Sequence, residues 1–310
     1  MTDVPWAGEL QERLGRPVDD MRLLPGGASK EAWAVDADGE RLLVRRAGVG
    51  VIHEETLSLE HEFLMLEAAA GAGVKVPQPI AYLGELGGRE AFAMELVEGE
   101  TIGRRIVRDP PASLPLELAV ELAKIHAIPH ERVPFLTGGD ILARFERELD
   151  SVGEPHPAIE YGLWWLREHR REPLADVVSH GDFRIGNVVV SERGLECLLD
   201  WEFAHLSDPR EDLAWPLVRA WRFSADGLRF GGVGEVEPYL ERYAGLTGRE
   251  IGVAELYWWE VLGNVKWAIG ALTQCRRHLT GQDRSVEYAV LGRLAAEMEY
   301  ELLDLIEKAA

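Results

Sequence analysis

The sequence predicts an α+β, bilobal chain: a small β-rich lobe over residues 1–97, then a larger and mainly helical lobe over residues 98–310. Three observations predict it. The 310 residues are more than one compact core usually serves. Through much of the first hundred positions apolar residues alternate at a period of two, as in half-buried strands. Beyond residue 100 they recur at helical spacing, as in helices packed on one face.

Taken in order, "MRLLPGGASKEAWAVDADGERLLVRR" joins apolar alternation to a Gly-Gly and an Asp-Gly turn, so strands and turns are expected over residues 20–50. Leu59, Phe63, Leu66 and Ala70 share one helical face near 54–70, with Gly71 placed to end it. "PIAYLGELGGREAFAMELVEGE" returns to strand pattern around Gly87-Gly88. In the second lobe Leu118, Leu122 and Ile125 mark one amphipathic helix. "AIEYGLWWLREHRR" and "YWWEVLGNVKWAIGALTQCRRHL" mark two more, and Leu291, Leu294, Met298, Leu302 and Leu305 line a closing one. The single strong strand signal in this half is "SHGDFRIGNVVVSERGLECLLDWE", residues 179–202.

Composition narrows the function. The net charge of −21 argues against a nucleic-acid partner, because phosphate binding needs a basic surface. Residues 1–100 hold 19 Asp and Glu against 9 Lys and Arg, so the acidity is densest in the first lobe and reads as general solubility. The polar, acidic N-terminus lacks the pattern of a signal peptide, and no apolar run reaches the roughly 18 residues of a membrane span. Cys197 and Cys275 are too few for a disulfide framework or a cysteine-based zinc site, and Cys197 in "LECLLD" is expected as a buried small hydrophobe. A soluble cytoplasmic protein is expected.

The stretch at 179–202 carries the chemistry. "VVV" and "LECLL", bridged by "SERG", predict a hairpin that brings Asn187 and Asp200 together at its open end. Their oxygens are hard ligands suited to Mg²⁺, which takes one or two carboxylates plus phosphates and waters. Asp182, five residues before Asn187, would stand at the mouth of that site and accept a hydroxyl proton as phosphate is transferred. A nucleotide would then lie against the first lobe. Gly26 and Gly27 let backbone approach phosphates and Ser29 can donate to them, although the loop lacks the Gly-x-x-x-x-Gly-Lys-Ser/Thr pattern. Alternation in "RLLVRR" puts Leu43 and Arg45 on one face, so Arg45 can point inward, and Glu62 at the edge of the next helix can fix its direction.

Together, "HGDFRIGN" and "LLDWEFAHLSDPREDLAW" resemble the aminoglycoside phosphotransferase family, small-molecule kinases of protein-kinase-like fold. "LPGGASKEAW" and "FAMELVEGE" support the likeness by their order, and it covers nearly the whole chain. "WPLVRAWRF" and "VKWAIGALTQCRRHLTG" are similar to the bacterial branch related to kinase-like domains fused to some acyl-CoA dehydrogenases. The resemblance implies a protein-kinase-like fold, ATP or GTP with Mg²⁺, Asp182 as base, Asn187 and Asp200 as metal ligands, and Arg45 as phosphate-contacting cation paired with Glu62. It also implies a hinge at Glu95, Leu96 and Val97 that grips the base, and Asp212 as support for the catalytic loop. Arg45 stands where most such enzymes have lysine, a swap that changes the phosphate geometry.

The acceptor is expected to be a small hydroxylated molecule bound by the helices beyond residue 205. That region holds 17 Asp and Glu against 12 Lys and Arg. Arg219 and Arg222 with Trp215 and Trp221, then Lys266, Arg276 and Arg277, favour an acceptor with apolar surface and an anionic group, such as a hydroxyacyl-CoA, over a polycationic aminoglycoside. Trp201 and His205 could touch substrate, whereas His126 beside Leu122 and Ile125 is expected to pack, as are the pairs Trp164-Trp165 and Trp258-Trp259. The alternatives are an inactive kinase-like nucleotide-binding or scaffold protein, which needs none of Asp182, Asn187, Asp200 and Glu62, and a metal-dependent hydrolase, which leaves the glycine turn unexplained.

Overall fold

A computed structural model describes residues 4–24, 30–48, 56–282 and 284–309. Gly26, Gly27 and Ser29 of the expected phosphate turn lie outside the described residues. The chain opens with helix α1 (Ala7–Leu14), which Gly15 ends in the left-handed conformation at φ 66°. Strands β1 (Val18–Leu23), β2 (Lys30–Ala37) and β3 (Glu40–Ala47) precede helix α2 (Leu59–Gly71), and β4 (Pro79–Leu86) and β5 (Arg89–Glu95) follow it. The five strands form one antiparallel sheet in the order β1-β2-β3-β5-β4. Asp38 and Gly39, both at positive φ, make the two-residue turn between β2 and β3, where Ala37 faces Glu40.

The sheet buries both faces. Val35, Val44, Leu83 and Ala91 pack on Trp6 and Leu10 on the outer side. Helix α1 was not evident in the sequence because Leu10 alone of its residues is buried, too thin an apolar stripe to register. On the inner side Phe92 and Met94 meet Phe63 and Leu66 of α2 and join the main core. Three first-turn N–H groups of α2 are satisfied. Ser58 Oγ accepts from His61 (3.1 Å), and the Glu90 carboxylate accepts from Leu59 (3.1 Å) and Glu60 (2.9 Å). That anchoring directs the next turn, with buried Glu62, toward the sheet.

The second half runs α3 (Gly103–Arg108), α4 (Leu114–Ile125), α5 (Ile141–Val152), α6 (Pro157–Glu168), β6 (Val177–Ser179), β7 (Val188–Ser191), β8 (Gly194–Leu198), β9 (His205–Ser207), α7 (Pro209–Ala214), α8 (Val236–Thr247), α9 (Val253–Leu279) and α10 (Val286–Ala309). The expected β7-β8 hairpin forms, and β6 and β9 pair as a second ribbon. Those last two strands are three residues each, too short to show a period. Leu256, Val261, Val265 and Ile269 of α9 lie in the main core with Met298 and Leu302 of α10. Trp165, Trp258 and Trp259 are buried as expected, but Trp164 is 53% exposed and stacks on Tyr161. Cys197 is buried, and burial pushes its thiol up to about 12. Among the described residues no helix is long and apolar enough to cross a membrane.

Candidate active site

The segment between β6 and β7 is held from below by one carboxylate. Asp212 in α7 accepts from the backbone N–H of His180 (2.7 Å) and of Gly181 (3.0 Å). His126 does pack in the core, yet it also turns Nε2 to Asp212 (3.4 Å) and Nδ1 to the Tyr243 hydroxyl (2.7 Å). Burial alone would raise the Asp212 carboxyl, but His126 and His180 hold it below the usual range. Gly181 sits at φ 75°, where a Cβ would lie 2.2 Å from the Phe203 carbonyl oxygen, so no other residue fits. His180 accepts the Asp182 N–H at Nδ1 (3.3 Å), which leaves Nε2 to donate to the Leu199 carbonyl (3.1 Å). Burial lowers the pKa of this imidazole, against the opposing pull of Asp212, Asp182 and Asp200.

Asp182 emerges with both oxygens occupied. Asn187 Nδ2 donates to Oδ2 (2.6 Å), Trp215 Nε1 to Oδ1 (2.7 Å), and Arg184 Nε lies 3.0 and 3.1 Å from the two. The hairpin delivers the partner group. Val188 faces Leu198, and the Leu199 N–H donates to the Asn187 carbonyl (2.8 Å), so Asn187 lies beside the residue before Asp200. Asp200 adopts φ 68°, strained for a residue with a side chain and typical of functional positions.

A divalent cation fits this pair. Asn187 Nδ2 spends its two protons on Asp182, leaving the amide oxygen free among the described residues to accept a cation. Burial would raise the Asp200 carboxyl, but Arg45, Lys30 and Arg184 hold it low and ionised. Among the described residues no group of three or more His, Cys, Asp or Glu is arranged around a metal. One amide and one carboxylate suit an ion that draws its other ligands from phosphates and water.

Across the cleft, Arg45 points inward from β3. Its Nε is 3.2 Å from Glu62 and its Nη2 2.5 Å from Asp200. Burial opposes the guanidinium charge, but Glu62, Asp200 and Glu202 more than offset it. Lys30, which the sequence did not single out, reaches Glu62 as well and lies 2.8 Å from Glu202. Burial and the neighbouring Asp200 push the Glu202 carboxyl upward, against Lys30 and Arg45. The cleft between the sheet and the helices encloses about 1390 Å³, with Leu24, Ala32, Leu43, Met94 and Leu199 as its apolar walls. At the expected hinge, Glu95 N–H donates to Gln78 (2.9 Å) and Leu96 N–H to Arg41 (3.2 Å). Of the three N–H groups only that of Val97 lacks a partner among the described residues.

Several expected acceptor-side groups are committed elsewhere. Trp201 is buried against the His180 ring at 4.5 Å. Arg219, on a short 3₁₀ turn, binds Asp226 and Glu301, Arg222 binds the Leu217 carbonyl, Arg276 the Val152 carbonyl, and Arg277 is buried against Tyr288. None of these four cations lines the cleft. Lys266 and His205 do. Lys266 donates to the Gly181 carbonyl (2.6 Å) and lies over the Trp215 ring (4.4 Å). Arg184 lies over Trp221 at 4.2 Å. The sequence missed Arg184, Glu202 and Lys30, of which the first two stand inside its own best motif, two residues after Asp182 and after Asp200.

Comparison with known proteins is consistent with this geometry. Acyl-CoA dehydrogenase family member 10 of Mus musculus is 26% identical over 313 residues, covering 88% of this chain and 28% of that protein. Acyl-CoA dehydrogenase family member 11 of Gallus gallus is 26% identical over 319 residues, 91% of this chain and 40% of that protein. The chain therefore spans well under half the length of these relatives. A Ralstonia eutropha protein provisionally described as an aminoglycoside phosphotransferase superposes with a TM-score of 0.78 at 19% identity, covering 99% of both chains. The GDP complex of aminoglycoside 2'-phosphotransferase-IIIa gives 0.67 at 15% identity over 97% of this chain and 98% of that one. Spectinomycin phosphotransferase with ADP and spectinomycin gives 0.68 at 15% over 95% and 98%. These likenesses establish the kinase-like fold. The profile of the phosphotransferase enzyme family (APH) matches residues 20–256, and the chain belongs to that family, the enzyme class to which residues 179–202 pointed.

Proposed function

We propose that the protein transfers the γ-phosphate of a nucleoside triphosphate to a hydroxyl of a small molecule. The observation that carries this is a cleft lined by Asp182, Asp200 and Arg45, with Asn187 bonded to Asp182 by its amide and, by its carbonyl, to the residue before Asp200. The base would lie between the apolar walls, with Val97 N–H as the available hinge donor. Arg45, held by Glu62, would face the phosphates. Mg²⁺, held by Asn187 and Asp200, would offset charge on the transferring group. Asp182 would orient the acceptor hydroxyl and take its proton, which requires one donor to leave its carboxylate. Trp215 and Asn187 are each about 5% exposed and fixed, whereas the Arg184 side chain is 21% exposed, so Arg184 is the one that yields.

The acceptor side of the cleft supports an apolar molecule with an anionic group, such as a hydroxyacyl thioester. Trp258, Trp259 and Trp267 line it with Lys266, Arg147 and Arg171. Those two arginines have no ion-pair partner among the described residues. Of the carboxylates that line this side, Asp140 caps α5 and Asp208 is forked by Arg210, whereas Asp176 and Glu287 are exposed and carry no ion pair among the described residues. The test is nucleotide consumption by the purified protein, with ATP and with GTP, across hydroxyacyl-CoAs, amino-sugar antibiotics, choline-like alcohols and sugars. Turnover confined to amino-sugar antibiotics would reverse the acceptor assignment, and consumption with none of these in either nucleotide would count against transfer to a small molecule.

A further inference from the structure

Lys30 and Arg45 lie on the same face of the sheet. Ala32 pairs with Arg45 and Lys30 with Ala47, so the two cations are diagonal neighbours on adjacent strands, both turned toward α2. They divide Glu62 between them, Lys30 taking Oε2 and Arg45 Nε taking Oε1. Each then reaches one further carboxylate across the cleft, Arg45 to Asp200 and Lys30 to Glu202 (2.8 Å). The lysine is poorly placed for a merely solvated charge: its side chain is 11% exposed, and Glu62 and Glu202 are 3% and 7% exposed. Glu62 needs only one cation to fix the direction of Arg45, so that task does not account for Lys30.

An ammonium carries three donors that rotate to suit their partners. Lys30 donates to Glu62 and forms an ion pair with Glu202, and its remaining donors are unassigned in a side chain that lines the cleft. Lys30 also begins β2, and in the sequence it directly follows Ser29, a candidate phosphate donor. Arg45 offers a planar fork already shared between two carboxylates, whereas a phosphate chain at this point would meet a compact charge on Lys30. We propose that Lys30 is a second nucleotide-contacting cation, which donates to a phosphate oxygen, and that Glu202 is the positioning residue that holds it there. The proposal rests on the nucleotide site described above.

Calorimetric titration of the full chain with MgATP, MgGTP, adenosine and guanosine tests it. Lys30→Met should lower affinity for the bound triphosphate by roughly tenfold or more, the value of one charge-assisted hydrogen bond, and change nucleoside affinity by less than about twofold. Lys30→Arg should recover affinity to within about threefold, because it keeps a donor cation at the site. Glu202→Gln should weaken triphosphate binding less than Lys30→Met does. Loss of the ammonium leaves two buried carboxylates, so Lys30→Met/Glu202→Gln, which removes charge of both signs, serves if the single variant does not fold, and it must show the same selective loss. Equal triphosphate affinity in the parent and Lys30→Met overturns the proposal and leaves the phosphotransferase site standing. So does a loss that falls equally on nucleosides, since that marks a structural role. A parent that binds neither triphosphate overturns both.

Discussion

Asp182 is crowded by three donors from two segments, and this crowding bears on its chemistry. A carboxylate that accepts from Trp215, Asn187 and Arg184 is held in one orientation and is ready to accept a proton once Arg184 gives way. Asp182→Asn keeps the size of the side chain and removes the base. Phosphoryl transfer should fall by roughly 100-fold or more while triphosphate affinity stays near that of the parent, as read by coupled nucleotide turnover and calorimetry. Turnover left unchanged would remove Asp182 from the role of base. His205 offers a second residue-level expectation. Both of its ring nitrogens face acceptors, the Phe203 carbonyl (2.8 Å) and the Glu211 carboxylate (3.0 Å), and only the imidazolium can donate to both. Burial would lower its pKa, but Glu211 raises it above the ordinary 6.5, against the opposing charge of Lys266. Glu211 is itself held well below the usual range: burial would raise it, and His205, Lys266 and the Ser207 hydroxyl more than compensate. The His205 contribution to stability is therefore complete below 6.5 and is lost as pH rises through the raised value. Urea midpoints should decline on that alkaline side, and His205→Gln should flatten the decline. An equally steep decline in the variant would assign it to another group.

At the scale of elements, the start of α2 governs the cation-facing carboxylate. Ser58 and Glu90 satisfy the first-turn donors, and Glu62 sits one turn further on. Ser58→Ala should cost about 1 kcal/mol of unfolding free energy, read from denaturant titration. A change below about 0.3 kcal/mol would mean that Glu90 caps the helix alone. The β6-β9 ribbon and the Gly181 turn form a second such device. Gly181→Ala would drive a methyl into the Phe203 carbonyl at a positive φ, so the segment bearing Asp182 must shift. The variant should lose turnover out of proportion to any loss of thermal stability. These elements also differ in how far the sequence reveals them. The β7-β8 hairpin announces itself because its apolar runs, its turn and its flanking Asn187 and Asp200 are local in the chain. Helix α1 and strands β6 and β9 do not, because a single buried leucine or three residues of strand leave no period to detect.

For the whole molecule, the proposed ligands tie the two halves of the chain together, since Arg45 from the sheet and Asp200 from the hairpin would face the same phosphates. Mg²⁺-nucleotide at about 100 times its dissociation constant should stabilise the fold by about 2.7 kcal/mol, visible as a raised melting temperature. Asp200→Ala should lose most of that gain. Equal stabilisation with and without Mg²⁺ in the parent would count against Asn187 and Asp200 as metal ligands. By itself the sequence determined the α+β architecture, through its periodicity, and the family, through its motifs, and it singled out 182, 187 and 200 as candidates, because periods, motifs and a hairpin act over short stretches of chain. Only the tertiary structure decided which charges are free to act. It gave Glu62 a second cation in Lys30, covered Asp182 with Arg184 and Trp215, tied Arg219 and Arg276 to distant partners, and turned Arg222 back onto the Leu217 carbonyl. The strength of an ion pair depends on distance and burial between segments far apart in the chain, 155 residues in the case of Arg45 and Asp200, and neither quantity is written in local spacing.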